Sequence, residues 1–310
     1  MSVGTTVTEP TARSAGKRSQ ISGKLAPYYG YVSPTVILMV VLMLIPIVMV
    51  LGYSLMDNVI MKQNPQFVGF AHYVDILTSD SFHGAVWNTL LFTGASVIAH
   101  LVIGLIFALL LNTDLLGNRT KALFRMIYIL PWLFTVAIIA ILWRLLLAPN
   151  GVVNYLLTSS HLIGSQIAWL AEPQYALFAV TFINIWSGYP FYMTSLLAGL
   201  QGIPTDLFEA AKVDGANPLQ RFVFITLPQL RPIVISMALL DFIWTTQQFA
   251  LIWMTTGGGP LNTTEMLSTF TYKLAFSRYQ FASASASAAI VLAISLVLAI
   301  FYVRAQKARD

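Results

Sequence analysis

Residues 205–232 read TDLFEAAKVDGANPLQRFVFITLPQLRP, a polar and charged stretch set between two long apolar segments in a chain of which only 9% is charged. Asp206 followed three residues later by Glu209 predicts an N-cap with a reciprocal capping partner, opening a short helix through Ala210, Ala211 and Lys212. Gly215 is expected to end it, because glycine enters the left-handed conformation without a steric penalty. Asn217 before Pro218 predicts a second N-cap with proline at the first helical position, so the segment reads as two short helices joined by a tight glycine turn. Ala210 and Ala211 leave a shallow surface that a partner's backbone or aromatic ring can approach closely, and Glu209 places a charged anchor beside it. An ordinary capped helical loop is the plainer reading, and a helix-turn-helix that binds DNA is a weaker one.

The surroundings of this loop are those of a membrane protein. Hydrophobic residues make up 57% of the 310, and the mean hydropathy is +0.74. Both exceed what a soluble core requires. Six apolar stretches are long enough to cross a bilayer, from about Val32 to Leu55, Asn88 to Asn112, Met126 to Leu147, Tyr175 to Leu200, Pro232 to Met254 and Phe281 to Val303. The predicted fold class is therefore all-α, a polytopic membrane protein with six transmembrane helices.

In an alternating six-span arrangement, thirteen of the seventeen Lys and Arg residues fall on one side. They are Arg13, Lys17, Arg18 and Lys24, then Arg119, Lys121 and Arg125, then Lys212, Arg221 and Arg231, and finally Arg304, Lys307 and Arg309. That side is expected to be cytoplasmic, with both termini and the 205–232 loop on it. Lys62, Lys273 and Arg278 fall outside, and Arg144 is expected to snorkel at the outer end of the third span. The net charge of +5 is thus a topology signal and not a nucleic-acid footprint.

Residues 1–27, rich in Ser, Thr, Lys and Arg, predict a flexible basic cytoplasmic tail. The apolar run after them is too long for a signal peptide and is expected to remain as the first span. The remaining divisions are a six-span domain over 28–305, with its polar loop at about 204–224, and a short cytoplasmic C-terminus at 306–310. Without cysteine, disulfide and thiol chemistry are excluded. The chain has no GxxxxGK[ST] phosphate loop, GxSxG turn or HExxH helix. His72, His83, His100 and His161 show no metal-ligand spacing, so no metal or catalytic site is proposed. His100, inside the second span, reads as a helix-packing or lumen-facing polar residue.

Glu209-Ala210-Ala211, three residues, Gly215, nine residues, Ile225, one residue and Leu227-Pro228 together resemble the EAA motif of the membrane subunits of ABC importers. A second block, TTGGGPLNTTEMLSTFTYKLAF at 255–276, is similar to the loop after the fifth core span of carbohydrate permeases of the maltose-transporter MalF type. Read physically, Gly257-Gly258-Gly259-Pro260 ends the fifth span at the outer surface, and Thr263 or Thr264 caps a short external helix running to Phe276. The resemblance spans roughly residues 30–305. It implies an ATP-driven, binding-protein-dependent sugar importer in the bacterial or archaeal plasma membrane. This chain would be one permease, paired with a MalG-like second permease, two copies of a cytoplasmic ATPase and an external solute-binding protein. ATP and magnesium would sit on the ATPase, with no cofactor on this chain. The expected ATPase-coupling residues are Glu209, Ala210, Ala211, Asp214 and Gly215.

Two polar stripes are candidates for solute contact. Asp241, Trp244, Thr245 and Gln248 are spaced i, i+3, i+4 and i+7, which places them on one helical face, and Asn184, Ser187, Gly188 and Phe191 repeat that spacing. Amides, hydroxyls and rings suit a sugar, whose hydroxyls need donors and acceptors and whose C–H faces pack on aromatic surfaces. Polar stripes that only glue helices together are the plainer alternative. The resemblance aligns these positions with the disaccharide-binding set of MalF-type subunits, through NIWSGYPF (Asn184, Trp186, Gly188, Pro190) and FALIWMTTGGGP. It also aligns Trp132, after Leu130-Pro131, with an aromatic contact of the same pocket. Asp241, Thr245 and Gln248 depart from the residues expected there, so maltose itself is not implied. Asp241, the one acidic residue well inside a span, is expected to face water, a ligand or a basic residue of the partner permease. Permeases for glycerol phosphate, polyols or other solutes share both blocks, and a stand-alone secondary sugar transporter would use the same stripes without an ATPase.

Overall fold

The computed structural model describes residues 30–57, 59–113 and 116–307, and the expected basic tail at 1–27 lies outside them. Among the described residues the secondary structure is helical, apart from one isolated antiparallel bridge between Met56 and Phe67. Helix α1 (Gly30–Tyr53) belongs, up to Gly52, to a unit separate from the rest of the chain. None of its most apolar 18-residue window is buried within the protein. A helix that is apolar all round takes lipid as its solvent.

The second unit, from Tyr53 on, contains α2 (Ala71–Leu77), α3 (Asp80–Asn112), α4 (Asn118–Leu133), α5 (Val136–Leu146), α6 (Val152–Ser159), α7 (Pro173–Gln201) and α8 (Thr205–Val213). After these come α9 (Pro218–Thr246), α10 (Ala250–Thr255), α11 (Leu267–Tyr272) and α12 (Phe281–Lys307). Among the described residues α1, α3, α9 and α12 are each long and apolar enough to cross a membrane. Helix α7 matches the expected fourth span and is 29 residues long, but Thr181, Asn184, Ser187 and Thr194 make it more polar.

Two expected spans are built differently. The third, read as one apolar run, is the pair α4 and α5, bent by 97°. Pro131 lies inside α4, Phe134 and Thr135 are extended, and the Thr135 hydroxyl accepts from the Ile138 amide at 3.5 Å to start α5. The fifth is already helical from Pro218, well before Pro232, and stops at Thr246, with α10 as a separate short helix. Hydropathy registers only the apolar portion of a helix, so it missed the polar start of α9.

The core lies where α3, α7 and α9 meet. Ala108 and Leu111 of α3, Tyr192, Met193 and Leu196 of α7, and Leu230 and Met237 of α9 are buried there. At Gly104 a Cβ would lie 2.5 Å from the Tyr192 Cβ and 2.9 Å from the Met193 amide nitrogen, so the two helices touch backbone to backbone. Without a hydrophobic drive between helices in lipid, such small-residue crossings supply the packing. The small residues that open α12 act similarly: Ala284 and Ala286 are buried against Phe82, Leu267 and Phe270.

Gly94 lies in the same α3 helix, but a Cβ there would meet nothing within 4 Å. We expect Gly104→Ala to destabilise the protein by about 1–3 kcal/mol through overpacking. Gly94→Ala should cost nothing, because alanine favours helix. Melting temperatures of the two purified variants check this, and equal values would contradict the close crossing.

Candidate functional site

A cavity of about 370 Å³ opens beside the crossing. Trp132, Asn184, Ser187, Gly188, Phe191, Asp241, Trp244, Thr245 and Gln248, the nine residues singled out in the sequence, all line it. Trp132 from α4, Phe191 from α7 and Trp244 from α9 form a wall of rings, with centroids 6.2 Å and 6.0 Å apart. The two indoles are 53% and 58% exposed. Asn184, Ser187, Asp241, Thr245 and Gln248 supply the polar part of the lining. Helix α9 ends at Thr246, so Gln248 lies beyond the predicted helical register, yet its amide still reaches the Asn184 side-chain oxygen at 3.5 Å. The Asn184 amide nitrogen is buried without a hydrogen-bond partner, a donor that a ligand oxygen can satisfy.

The break between α4 and α5 completes the lining with Phe134, Thr135 and Val136, and Ile139 follows from α5. Irregular backbone at membrane depth is tolerated where it lines a cavity. Neither these residues nor His100, which also lines the cavity, were assigned to the site from sequence. His100 Nδ1 lies 2.8 Å from Asp241 Oδ2, and Nε2 lies 3.0 Å from the Asn184 carbonyl oxygen. Thr245 donates to Asp241 Oδ1 at 2.9 Å. The base facing Asp241 therefore belongs to this chain. Only the presence of a polar residue in each span signalled the pair in the sequence.

At the far end of α9 the 205–232 loop closes a second cleft of about 370 Å³, lined by Ala211, Asp214, Gly215, Ala216, Gln220, Arg221, Phe224 and Ile225. Gly215 has φ +79. The Ala216 amide donates to the Ala211 carbonyl at 2.9 Å and the Gly215 amide to that of Lys212 at 3.1 Å, which together make a Schellman closure. Asn217 is the predicted N-cap, accepting from the Gln220 amide at 2.9 Å, and the Gln220 side chain, not foreseen from sequence, accepts from the Asn217 amide at 2.8 Å. Two expectations are corrected. Helix α8 begins at Thr205 after Pro204 with no side-chain cap, so Asp206 lies within the first turn, where its charge opposes the helix dipole. The second helix is not short but is the start of α9. Glu209 and Ala210 lie on the exposed side of α8, and Val213, Leu219 and Phe224 are 88%, 70% and 74% exposed nearby.

The 255–276 block also differs in detail. Thr263 and Thr264 bond the carbonyls of Pro260 and Gly259, and the helix they were expected to cap starts at Leu267. Thr269 takes the capping role by accepting from the Met266 amide at 2.9 Å. Buried Glu265 pairs with Lys273 at 2.7 Å, and Asn88 of α3 bonds the carbonyls of Asn262 and Glu265, which ties the block to the bundle. The Arg144 guanidinium reaches the Met254 carbonyl at 3.5 Å.

The family model described as the binding-protein-dependent transport system inner membrane component matches residues 82–309. A probable ABC transporter permease protein of Brucella suis biovar 1 (strain 1330) is 34% identical over 92% of this chain and 97% of its own length. The trehalose/maltose transport system permease protein MalF of Thermococcus litoralis is 34% identical over 87% of this chain and 89% of its own. Among solved structures, a chain from a bacterial ABC transporter involved in the import of the acidic polysaccharide alginate has a TM-score of 0.81 at 24% identity. That match covers 95% of this chain and 100% of the other, and it shows a common fold. This protein, a multi-pass membrane permease of an ABC importer, belongs to the family of binding-protein-dependent transport system inner membrane components.

Proposed function

We propose that the cavity is this chain's half of a path for an uncharged, hydroxyl-rich solute of the sugar class, and that the α8 loop docks a separate cytoplasmic ATPase. The observation that carries the solute reading is the pairing, in one cavity, of a three-ring wall with amides and hydroxyls. Rings pack on sugar C–H faces while the polar groups fix the hydroxyls. Among the described residues no Lys or Arg lines the cavity, which disfavours a phosphate ester such as glycerol phosphate. The relative from Thermococcus litoralis, named for trehalose and maltose, supports the sugar class.

The exposed indoles of Trp132 and Trp244 fit a path completed by a second, MalG-like permease. ATP and magnesium belong to the ATPase pair, and an external binding protein delivers the solute. The excess of Lys and Arg on one side of the six-span arrangement supports a cytoplasmic position for both termini and α8. Asp241 lies 23 residues after Pro218 in the same helix, about 35 Å at 1.5 Å per residue. Displacement of α8 by closing ATPases is thereby carried to the cavity, which alternates between inward and outward access. The family assignment removes the reading of a stand-alone secondary transporter.

Reconstitution with co-purifying subunits in liposomes tests the proposal. Uptake of one labelled neutral sugar from a panel, dependent on both ATP and binding protein, is expected. Uptake by this chain alone without ATP would overturn it. Trp244→Ala removes a ring worth about 1.5 kcal/mol, so it should raise the half-saturating solute concentration about tenfold with assembly intact. Unchanged uptake kinetics would remove Trp244 from the path. Asp241→Asn should likewise weaken uptake while leaving assembly and ATPase docking intact.

For the docking loop, Glu209→Ala and Gly215→Val should reach the membrane but lose ATPase association or coupling. Gly215→Asn should retain much of both, since asparagine tolerates the left-handed conformation and valine does not. Co-purification and ATP-driven uptake distinguish these outcomes, and full activity of Gly215→Val would contradict the role.

A further inference from the structure

We propose that His100 is a positioning and specificity-determining residue of the cavity, held as an imidazolium that cancels the charge of Asp241 and gives the solute a polar lining with no net charge. The inference deepens the sugar-path reading and rests on it for its consequence, though not for the charge state itself.

His100 is 2% exposed, and both of its ring nitrogens face oxygen atoms. The oxygen beside Nε2 is the Asn184 main-chain carbonyl, which only accepts, so Nε2 carries a hydrogen. The oxygen beside Nδ1 belongs to Asp241, whose other oxygen already accepts from Thr245. Nδ1 and Oδ2 share one hydrogen, and in this proposal it lies on the nitrogen, with Asp241 as the carboxylate. A ring that donates from both nitrogens is an imidazolium. A buried carboxylate is retained in a membrane when it is paired in this way.

The surroundings add no competing charge. Helix α7 presents Asn184, Ser187 and the ring of Tyr192, whose centroid lies 5.9 Å from the imidazole. Helix α9 presents Asp241, Trp244 and Thr245, and the α4–α5 break presents Trp132, Phe134, Thr135, Val136 and Ile139. His100 and Asp241 are thus the charged pair among the described lining residues.

The ring is also clamped. A Cβ at Gly188 would fall 2.3 Å from His100 Nε2, so the imidazole lies edge-on to the α7 backbone. Gly188 therefore serves the cavity by making room for His100. Asp241 is then turned by His100 and Thr245, with its remaining lone pairs left for solute hydroxyls. A neutral lining favours an uncharged polyol or sugar and penalises an anion or cation, whose charge would be desolvated without a partner.

Two measurements on the assembled transporter test this. Nitrogen-15 spectra of histidine-labelled protein, with the His100 signal assigned by its loss in His100→Gln, should show both ring nitrogens protonated near neutral pH. In Asp241→Asn only one should be protonated. A wild-type ring with one bare nitrogen overturns the proposal. In uptake, His100→Gln leaves the Asp241 charge uncompensated and should raise the half-saturating concentration of the neutral solute about tenfold or more. The double variant His100→Gln/Asp241→Asn restores a neutral hydrogen-bonded pair and should return it to within about threefold of wild type. A double variant no better than the single one, or a single variant with unchanged half-saturation, also overturns the proposal. If the wild type imports no neutral sugar, the solute reading falls while the nitrogen spectra still decide the charge state. If His100→Gln fails to assemble, Asp241→Asn and the wild-type spectra decide it.

Discussion

Helices α3 and α7 approach so closely at Gly104 and Gly188 that a methyl group at either position would strike the opposite helix. Everything else at the candidate site follows from that approach. It brings His100 within hydrogen-bond distance of the α7 backbone and, from there, of Asp241 on α9. Three helices are thereby joined by one imidazole in a medium where unpaired polar groups are costly. The cavity lies beside this junction, walled by the rings of Trp132, Phe191 and Trp244.

Helix α9 links this junction to the docking loop. It begins at the Asn217–Gln220 capping box beside the second cleft and ends at Thr246, next to the cavity. A π-helical turn at Phe222–Thr226 is absorbed without breaking the rod. The Schellman closure at Gly215 joins α8 to α9 by a tight turn, which suits the proposed coupling of α8 to the cavity. The backbone is irregular instead at Phe134–Thr135 and Gln247–Phe249, with residues of both stretches lining the cavity. There the Gln248 carbonyl accepts from the Ser268 hydroxyl at 2.8 Å.

Much of this was legible in the sequence, because the features concerned are local. The i, i+3, i+4 spacing put the polar stripes on single faces, and Asn217-Pro218 and Gly215 announced their caps. Apolar length found α1, α3 and α12 close to their bounds. What failed was of two kinds. The starts of helices were misplaced where polarity masked helicity, as at Pro218, or where the expected cap residue does not cap: α8 starts after Pro204 with no side-chain cap, and Thr263 and Thr264 bond carbonyls instead. The 97° bend was hidden because Phe134 and Thr135 differ little in hydropathy from a continuous span. The His100–Asp241 bond was invisible for another reason: its partners are 141 residues apart, and no local pattern specifies which polar residue in one span meets which in another.

The central claim is that the cavity changes the side to which it opens when ATP binds the ATPase docked at the α8 loop. The chain contains no cysteine, so Ser187→Cys introduces a single thiol into the cavity lining of this subunit. Labelling of that thiol by membrane-impermeant reagents, applied from either side of the reconstituted transporter, follows access directly. We predict modification from the cytoplasmic side in the nucleotide-free state and from the outer side when ATP and binding protein are trapped on the complex. Labelling that is the same from both sides, whatever the nucleotide state, would contradict the account.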